Sequence, residues 1–260
     1  MVLHLPTCGQ TRIVLVGGLD PSGGAGVGRD LLTATQLSAR ASIVGTAWTE
    51  QGFASVHRVE AREPDRVEVA LAGALAAVGA SESAVKIGMV ATASIARAIV
   101  GGLASYSGPV VFDPVRLATS GGWLYDGDRQ AILTLARKAS LFTPNLDEAA
   151  WILDRPVRSE MDAREAARAL FGLGIPAVLV KGGHLSGDAS DVLRSAAGER
   201  AFTRPRVPGQ SPRGTGCALA TAIAVELARG ESLENAVARA KAWLTDHIAA
   251  AASVGSERHL

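Results

Sequence analysis

Cysteine is scarce in this sequence: Cys8 and Cys217 are the two in 260 residues, too few for a disulfide framework and without metal-ligand spacing. That usage fits a reducing, cytoplasmic setting. An excess of charge of one sign is also missing. With 26 basic and 25 acidic residues the formal charge is +1, so no global field draws the chain to nucleic acid or a membrane surface, and a small-molecule partner is expected. No apolar run is long enough to span a bilayer, because the stretch opening at Ile13 is interrupted by Gly17 and Asp20. Between Met1 and Arg12 there is no basic segment followed by a long apolar one, so no secretory leader is read there. Internal repeats, low-complexity linkers and composition breaks are absent too. One domain over residues 1–260, with a core of about 12–251, is therefore expected.

What is present is 48% hydrophobic residues and 29 glycines, the composition of a buried sheet wrapped in alanine-rich helices. Short β-branched or apolar runs near 13–16, 43–44, 85–87, 110–112, 141–143 and 177–180 predict buried strands. Helical stretches are predicted near 25–39, 64–78, 93–104, 146–153, 161–173, 217–228 and 233–251, with a hairpin-like pair around Ala197-Gly198. Strands alternating with helices imply right-handed crossovers and a mainly parallel α/β sheet covered on both faces.

Such sheets gather ligands at the carboxyl ends of their strands. Polar or glycine-rich segments stand at those exits: Gly23-Gly24-Ala25-Gly26, Asp113-Pro114-Val115, Thr143-Pro144-Asn145 and Lys181-Gly182-Gly183-His184. The sharpest local feature is Arg213-Gly214-Thr215-Gly216-Cys217 ahead of an alanine-rich helix. Small residues there either let backbone amides turn towards an anion or merely cap the helix. Neither the dinucleotide glycine fingerprint nor Gly-x-x-x-x-Gly-Lys-Ser/Thr occurs in its proper place.

Five separated blocks resemble the phosphomethylpyrimidine kinase branch of the ribokinase-like family. They are Asp20-Pro21-Ser22-Gly23-Gly24-Ala25-Gly26, Lys86-Ile87-Gly88-Met89, Thr143-Pro144-Asn145-Leu146 with Glu148, Lys181-Gly182-Gly183-His184 and Gly214-Thr215-Gly216-Cys217. The resemblance runs from about Ile13 to Ala251. It implies a single-domain, three-layer α/β sandwich and a homodimer. It also implies transfer of a phosphoryl group from ATP, with Mg2+, to hydroxymethylpyrimidine or its monophosphate in thiamine biosynthesis. By motif position, Gly18, Asp30, Gln51, Met89 and Val115 would hold the pyrimidine. A carboxylate and an amide suit ring nitrogens and an exocyclic amine, and Met89 and Val115 supply apolar walls. Asn145, Lys181, Gly183 and Asp113 would meet ATP, with Glu148 and Asp113 as the magnesium acids, often through water.

Cys217 stands where many related sugar and nucleoside kinases have an aspartate base. A helix N-terminus can lower a thiol from its usual 8.5 or so, so a Cys217 thiolate among the amides of Gly214, Thr215 and Gly216 is expected. The chain departs from the family pattern in places. Arg213 replaces a frequent His, Arg116 a Met and Thr119 a Lys, while Trp48 and Glu50 alter the approach to Gln51 and suggest a modified substrate. Two other readings stay open: a kinase of pyridoxal-type vitamers, and a pyrimidine-sensing paralogue with little turnover.

Overall fold

The structure, a computed structural model, describes residues 11–51, 55–118, 121–183, 185, 187–209, 212–254 and 257–259. The chain opens with β1 (Arg12–Leu19), α1 (Gly26–Gln36), β2 (Arg40–Gln51), β3 (Val56–Ala61), α2 (Pro64–Val78) and β4 (Ser83–Ile87). It continues through β5 (Ala91–Thr92), α3 (Ala93–Gly102), β6 (Val110–Phe112), β7 (Tyr125–Asp126), α4 (Arg129–Ala136), β8 (Leu141–Phe142), α5 (Leu146–Leu153) and α6 (Glu160–Gly172). It closes with β9 (Ala177–Lys181), β10 (Ala189–Ser195), β11 (Gly198–Arg204), α7 (Thr215–Ala228), α8 (Leu233–Ala250), β12 (Ala252–Val254) and β13 (Glu257–His259).

A nine-stranded sheet in the order β11-β10-β9-β8-β6-β4-β1-β2-β3 forms the middle layer. Strands β2, β1, β4, β6, β8 and β9 run parallel, and β3, β10 and β11 pair antiparallel at the edges. Strand side chains alternate between faces, so each strand feeds two cores. Val14, Val16, Val85, Ile87 and Phe112 pack with α2 to α6, whereas Ile13, Leu15, Ala84, Val111 and Leu141 pack with α1, α7 and α8. This is the single-domain, three-layer arrangement expected from the alternation. The antiparallel pair around Ala197-Gly198 is also found, as β10 and β11. Strand β3 and helix α4 were not anticipated. The first is a largely exposed edge strand, Val-His-Arg-Val-Glu-Ala, with no apolar face to read; the second is short and starts on charged residues behind its Asp128 cap.

Helix α7 is buried almost all round, and its alanines let it lie close to the sheet beside β4, β6 and β1. Its position is tied from below. Lys86, the one charged residue of β4, follows Ala84 onto the α1/α7 face and donates to Asp30 of α1 at 2.7 Å, both side chains fully buried. The other Asp30 oxygen accepts from the Thr221 hydroxyl of α7 at 2.8 Å. Burial alone would lower Lys86, but the Asp30 carboxylate, helped by Cys217 and Asp113, outweighs it and keeps the ammonium charged.

Removing one partner of a buried ion pair leaves the other charge uncompensated, at a cost of about 3–5 kcal/mol. Asp30→Asn and Lys86→Met are each expected to lose stability on that scale, and the double variant to recover part of it. Urea unfolding run as a double-mutant cycle checks this; strictly additive losses would contradict the coupling.

Candidate active site

The carboxyl ends of the parallel strands open into one cleft of about 310 Å³. Every residue expected at the site lines it: Gly18, Asp30, Gln51, Met89, Asp113, Val115, Asn145, Glu148, Lys181, Gly183, Gly214, Thr215, Gly216 and Cys217. The strand order distributes them. Gln51 ends β2, Gly18 lies on β1, Met89 follows β4, Asp113 and Val115 follow β6, Asn145 follows β8 and Lys181 ends β9. His184 and Thr119 lie outside the described residues, as does Cys8.

The Gly214 loop is built by backbone contact. Gly214 sits in the left-handed region at φ +76°, and a Cβ there would come within 2.4 Å of the Gly24 carbonyl oxygen, so the two glycine loops can touch only without a side chain. Gly214 is the N-cap of α7 and supplies no side-chain acceptor; its carbonyl takes the amide of Ala218 at 2.9 Å. The first-turn amides of Thr215, Gly216 and Cys217 therefore have no helical partner, which is the geometry of an anion site.

Cys217 stands in that turn, one helical turn before Thr221, and is buried. Its thiol corrects the expectation of a thiolate: burial pushes it up to about 11, outweighing the opposing pull of Lys86, while Asp30 and Asp113 add to the rise. At neutral pH the free protein carries a neutral thiol.

Across the cleft, Lys181 pairs closely with Asp113, which also accepts from the Thr143 hydroxyl at 3.4 Å. Burial would lower Lys181, yet Asp113 and Glu148 prevail and hold it above its ordinary value. Gly216 faces this pair, its Cβ position lying 3.3 Å from the Lys181 Nζ. Glu148 closes a capping box on α5: Asn145 Oδ1 accepts its amide at 2.8 Å, and its own carboxylate accepts the Asn145 amide at 2.7 Å. Burial pushes Glu148 up to about 7, opposed by Lys181 and reinforced by Asp113.

At the β1/β2 end, a Cβ on Gly18 would lie 2.5 Å from the Met89 sulfur, so that glycine makes room for the methionine wall. Thr46 fixes the wall by donating to the Met89 carbonyl at 2.6 Å. The Gln51 side-chain carbonyl oxygen is buried and has no hydrogen-bond partner among the described residues. Asp30 lines the floor of the cleft. Its oxygens accept from Lys86 and Thr221, so it also holds α7. Trp48 and Glu50 alternate with Thr49 and Gln51, and only the latter two line the cleft; Trp48 is exposed and Glu50 lies 3.6 Å from Arg58. Those two departures therefore lie outside the cleft lining. Arg116 stacks on Trp123 at 4.4 Å and Trp151 at 4.9 Å instead of lining the cleft.

Several contributors escaped the sequence reading. Asp191 accepts the Gly182 amide at 3.0 Å and pairs with Lys241 of α8, fixing the loop after β9. The guanidinium of Arg206 donates to the carbonyls of Gly183, Leu185 and Gly187. Buried Arg29 packs beneath Gly214, its Cγ 3.1 Å from that residue's Cβ position. A charge inside an apolar strand (Asp191) and one inside an alanine-rich helix (Lys241) were the available signals.

A family model described as phosphomethylpyrimidine kinase matches residues 20–260. The hydroxymethylpyrimidine/phosphomethylpyrimidine kinase of Escherichia coli is 40% identical over 247 residues, covering 93% of this chain and 92% of that protein. Among solved structures, phosphomethylpyrimidine kinase from Clostridium difficile superposes with a TM-score of 0.77 at 29% identity, over 92% of this chain and 99% of that one. The Staphylococcus aureus pyridoxal kinase in complex with ADP reaches 0.83 at 27% identity, over 95% and 90%.

Because a raised thiol is unreactive when protonated, iodoacetamide is expected to alkylate Cys217 slowly at pH 8 and faster as the pH climbs towards 11. Peptide mass spectrometry measures this, and full reactivity at pH 7 would contradict a neutral thiol. Gly214→Ala is expected to lower the melting temperature and weaken ADP binding together, since φ +76° and the Gly24 carbonyl both exclude a methyl group. Thermal unfolding and calorimetric titration with ADP check both effects.

Proposed function

The chain belongs to the phosphomethylpyrimidine kinase family, and from that premise we propose that it transfers the γ-phosphoryl group of ATP to hydroxymethylpyrimidine and to its monophosphate in thiamine biosynthesis. The observation that carries the choice of acceptor is the buried Gln51 carbonyl, without a hydrogen-bond partner among the described residues, standing in a cleft walled by Met89 and Val115. A buried acceptor left unmatched costs stability, and an exocyclic amine on a flat, apolar-walled ring supplies the missing donor. A cytoplasmic homodimer is part of the same proposal, supported by the family resemblance and by the free Cys217 thiol.

In this reading the amides of Thr215, Gly216 and Cys217 hold the transferring phosphoryl group, and Lys181, kept charged by Asp113, meets the nucleotide phosphates. Asn145 and Gly183 shape the nucleotide side of the cleft. Among the described residues no cluster of three or more metal-ligating side chains occurs. Glu148 and Asp113, two oxygen donors lining the cleft with Lys181, fit Mg2+, which takes one or two carboxylates and completes its shell with phosphates and water. When bound, the ion would draw negative charge off the phosphates. Phosphoryl transfer proceeds through a loose transition state in which the acceptor oxygen has gained little bond order, so a strong base is not needed early. The neutral Cys217 thiol then orients the alcohol by a hydrogen bond, and the alcohol's proton passes to an oxygen of the transferred phosphoryl group as the new P–O bond forms and the bond to ADP breaks.

A pyridoxal-type kinase is the second reading, favoured by the close superposition on the Staphylococcus aureus pyridoxal kinase. A sensing paralogue is disfavoured by the intact Lys181–Asp113 pair and anion loop. ADP release measured with hydroxymethylpyrimidine, its monophosphate and pyridoxal separates the three; saturable pyrimidine binding without ADP release would establish the sensor.

The acceptor oxygen of the monophosphate is already ionised, so it has no proton to lose. An anionic acceptor depends less on a hydrogen bond that orients an alcohol, so Cys217→Ala is expected to lower kcat on the alcohol by up to roughly 10²-fold and to affect the monophosphate less. Near-normal turnover of the alcohol by Cys217→Ala would remove the cysteine from the mechanism.

A further inference from the structure

Arg213 lies at the seam between the two glycine loops. It lines the cleft, its side chain is only 12% exposed, and it follows the fixed backbone of Pro212 into the left-handed Gly214. Its Cβ and Cζ are each 3.8 Å from the Cβ position of Gly24, so the guanidinium crosses the loop that leaves β1. There Nη2 approaches Asp20 Oδ2 at 3.6 Å. Asp20 is committed elsewhere as well: Oδ1 accepts the Ser22 amide and hydroxyl at 2.9 and 2.7 Å, and Oδ2 accepts the Ala25 amide at 3.1 Å. The ion pair is thus long and shared, in contrast to Lys86 on Asp30 at 2.7 Å and to the close Lys181–Asp113 contact. Asp20 helps to aim the guanidinium across this loop.

Resting on the kinase reading above, we propose that Arg213 is a specificity-determining residue that binds the phosphate of a phosphomonoester acceptor, biasing the enzyme towards the monophosphate over the free alcohol. The physical need is plain. A phosphomonoester must approach the anionic γ-phosphate of ATP, and repulsion between them has to be cancelled from the acceptor's side. Lys181 stands at the end of β9, on the β8/β9 side of the cleft, and Lys86 is sealed under the cleft by Asp30. Arg213 sits instead where the loop leaving β1 meets the first turn of α7, beside the amides that hold the transferring group. A guanidinium presents a planar fork of donors that matches phosphate oxygens in pairs. A histidine at this place would present a single donor towards the same point. The low exposure of the side chain makes its charge count for more than it would in water.

The test is a pair of specificity constants. For wild type, Arg213→Ala, Arg213→His and Arg213→Lys, kcat/KM is measured with hydroxymethylpyrimidine, with its monophosphate, and with ATP as the varied substrate. Arg213→Ala and Arg213→His are expected to lower kcat/KM for the monophosphate at least tenfold more than for the alcohol. Arg213→Lys, which keeps the charge and loses the fork, is expected to fall between. Equal losses on both acceptors overturn the proposal, and so does a change confined to the KM for ATP, which would place the guanidinium on the nucleotide's phosphates. If Arg213→Ala does not fold, the ratio for Arg213→Lys decides: an unchanged ratio overturns the assignment. A wild-type enzyme inactive on both acceptors would instead sink the kinase reading on which the proposal rests.

Discussion

One buried carboxylate, Asp30, holds the reaction centre together. It comes from α1, takes the ammonium of Lys86 from β4 and the hydroxyl of Thr221 from α7, and so fastens three elements at a point closed to water. Helix α7 has few polar contacts to fix it otherwise, since its surface is alanine and aliphatic residues that could slide along the sheet. The joint sets where the first turn of α7 stands. With it come the open amides of Thr215 to Cys217 and the approach of Gly214 to the Gly24 carbonyl.

The same device recurs along the cleft. Lys181 is matched by Asp113, and Lys241 by Asp191, which also anchors the Gly182 amide. Each pair fixes a loop at the end of a different strand, and Asp113 helps to keep Lys181 charged in a place where burial alone would favour the neutral amine. A site meant for a polyanion can hold such charges without it only if carboxylates compensate them. Cys217 shows the reverse effect: no cation is close enough to overcome its burial, and the thiol stays protonated.

The backbone itself does not choose the acceptor, because a pyridoxal kinase superposes on this chain at least as well as a phosphomethylpyrimidine kinase does. Discrimination falls to a few side chains on an otherwise shared frame. In the proposed function, Gln51 would offer an acceptor to a ring amine, Met89 and Val115 would wall the slot, and Arg213 and Asp20 would set the charge beside the anion loop.

Much of this was legible in the chain before any coordinates. Buried parallel strands announce themselves as short β-branched runs, and the loops that follow them carry the chemistry, so the sheet and the residues lining its carboxyl edge could be read locally. Edge strand β3, with no apolar face, could not. Nor could the partners of the buried charges: Asp30 meets Lys86 from 56 residues away and Thr221 from 191. The family resemblance alone gave Asp30 as a ligand for a heterocycle, and Cys217 read in isolation looked like a thiolate at a helix start. Sequence determined which groups stand at the strand exits. Tertiary structure decided which of them face the cleft and in what charge state, because both depend on burial and on distances between segments that the chain keeps far apart.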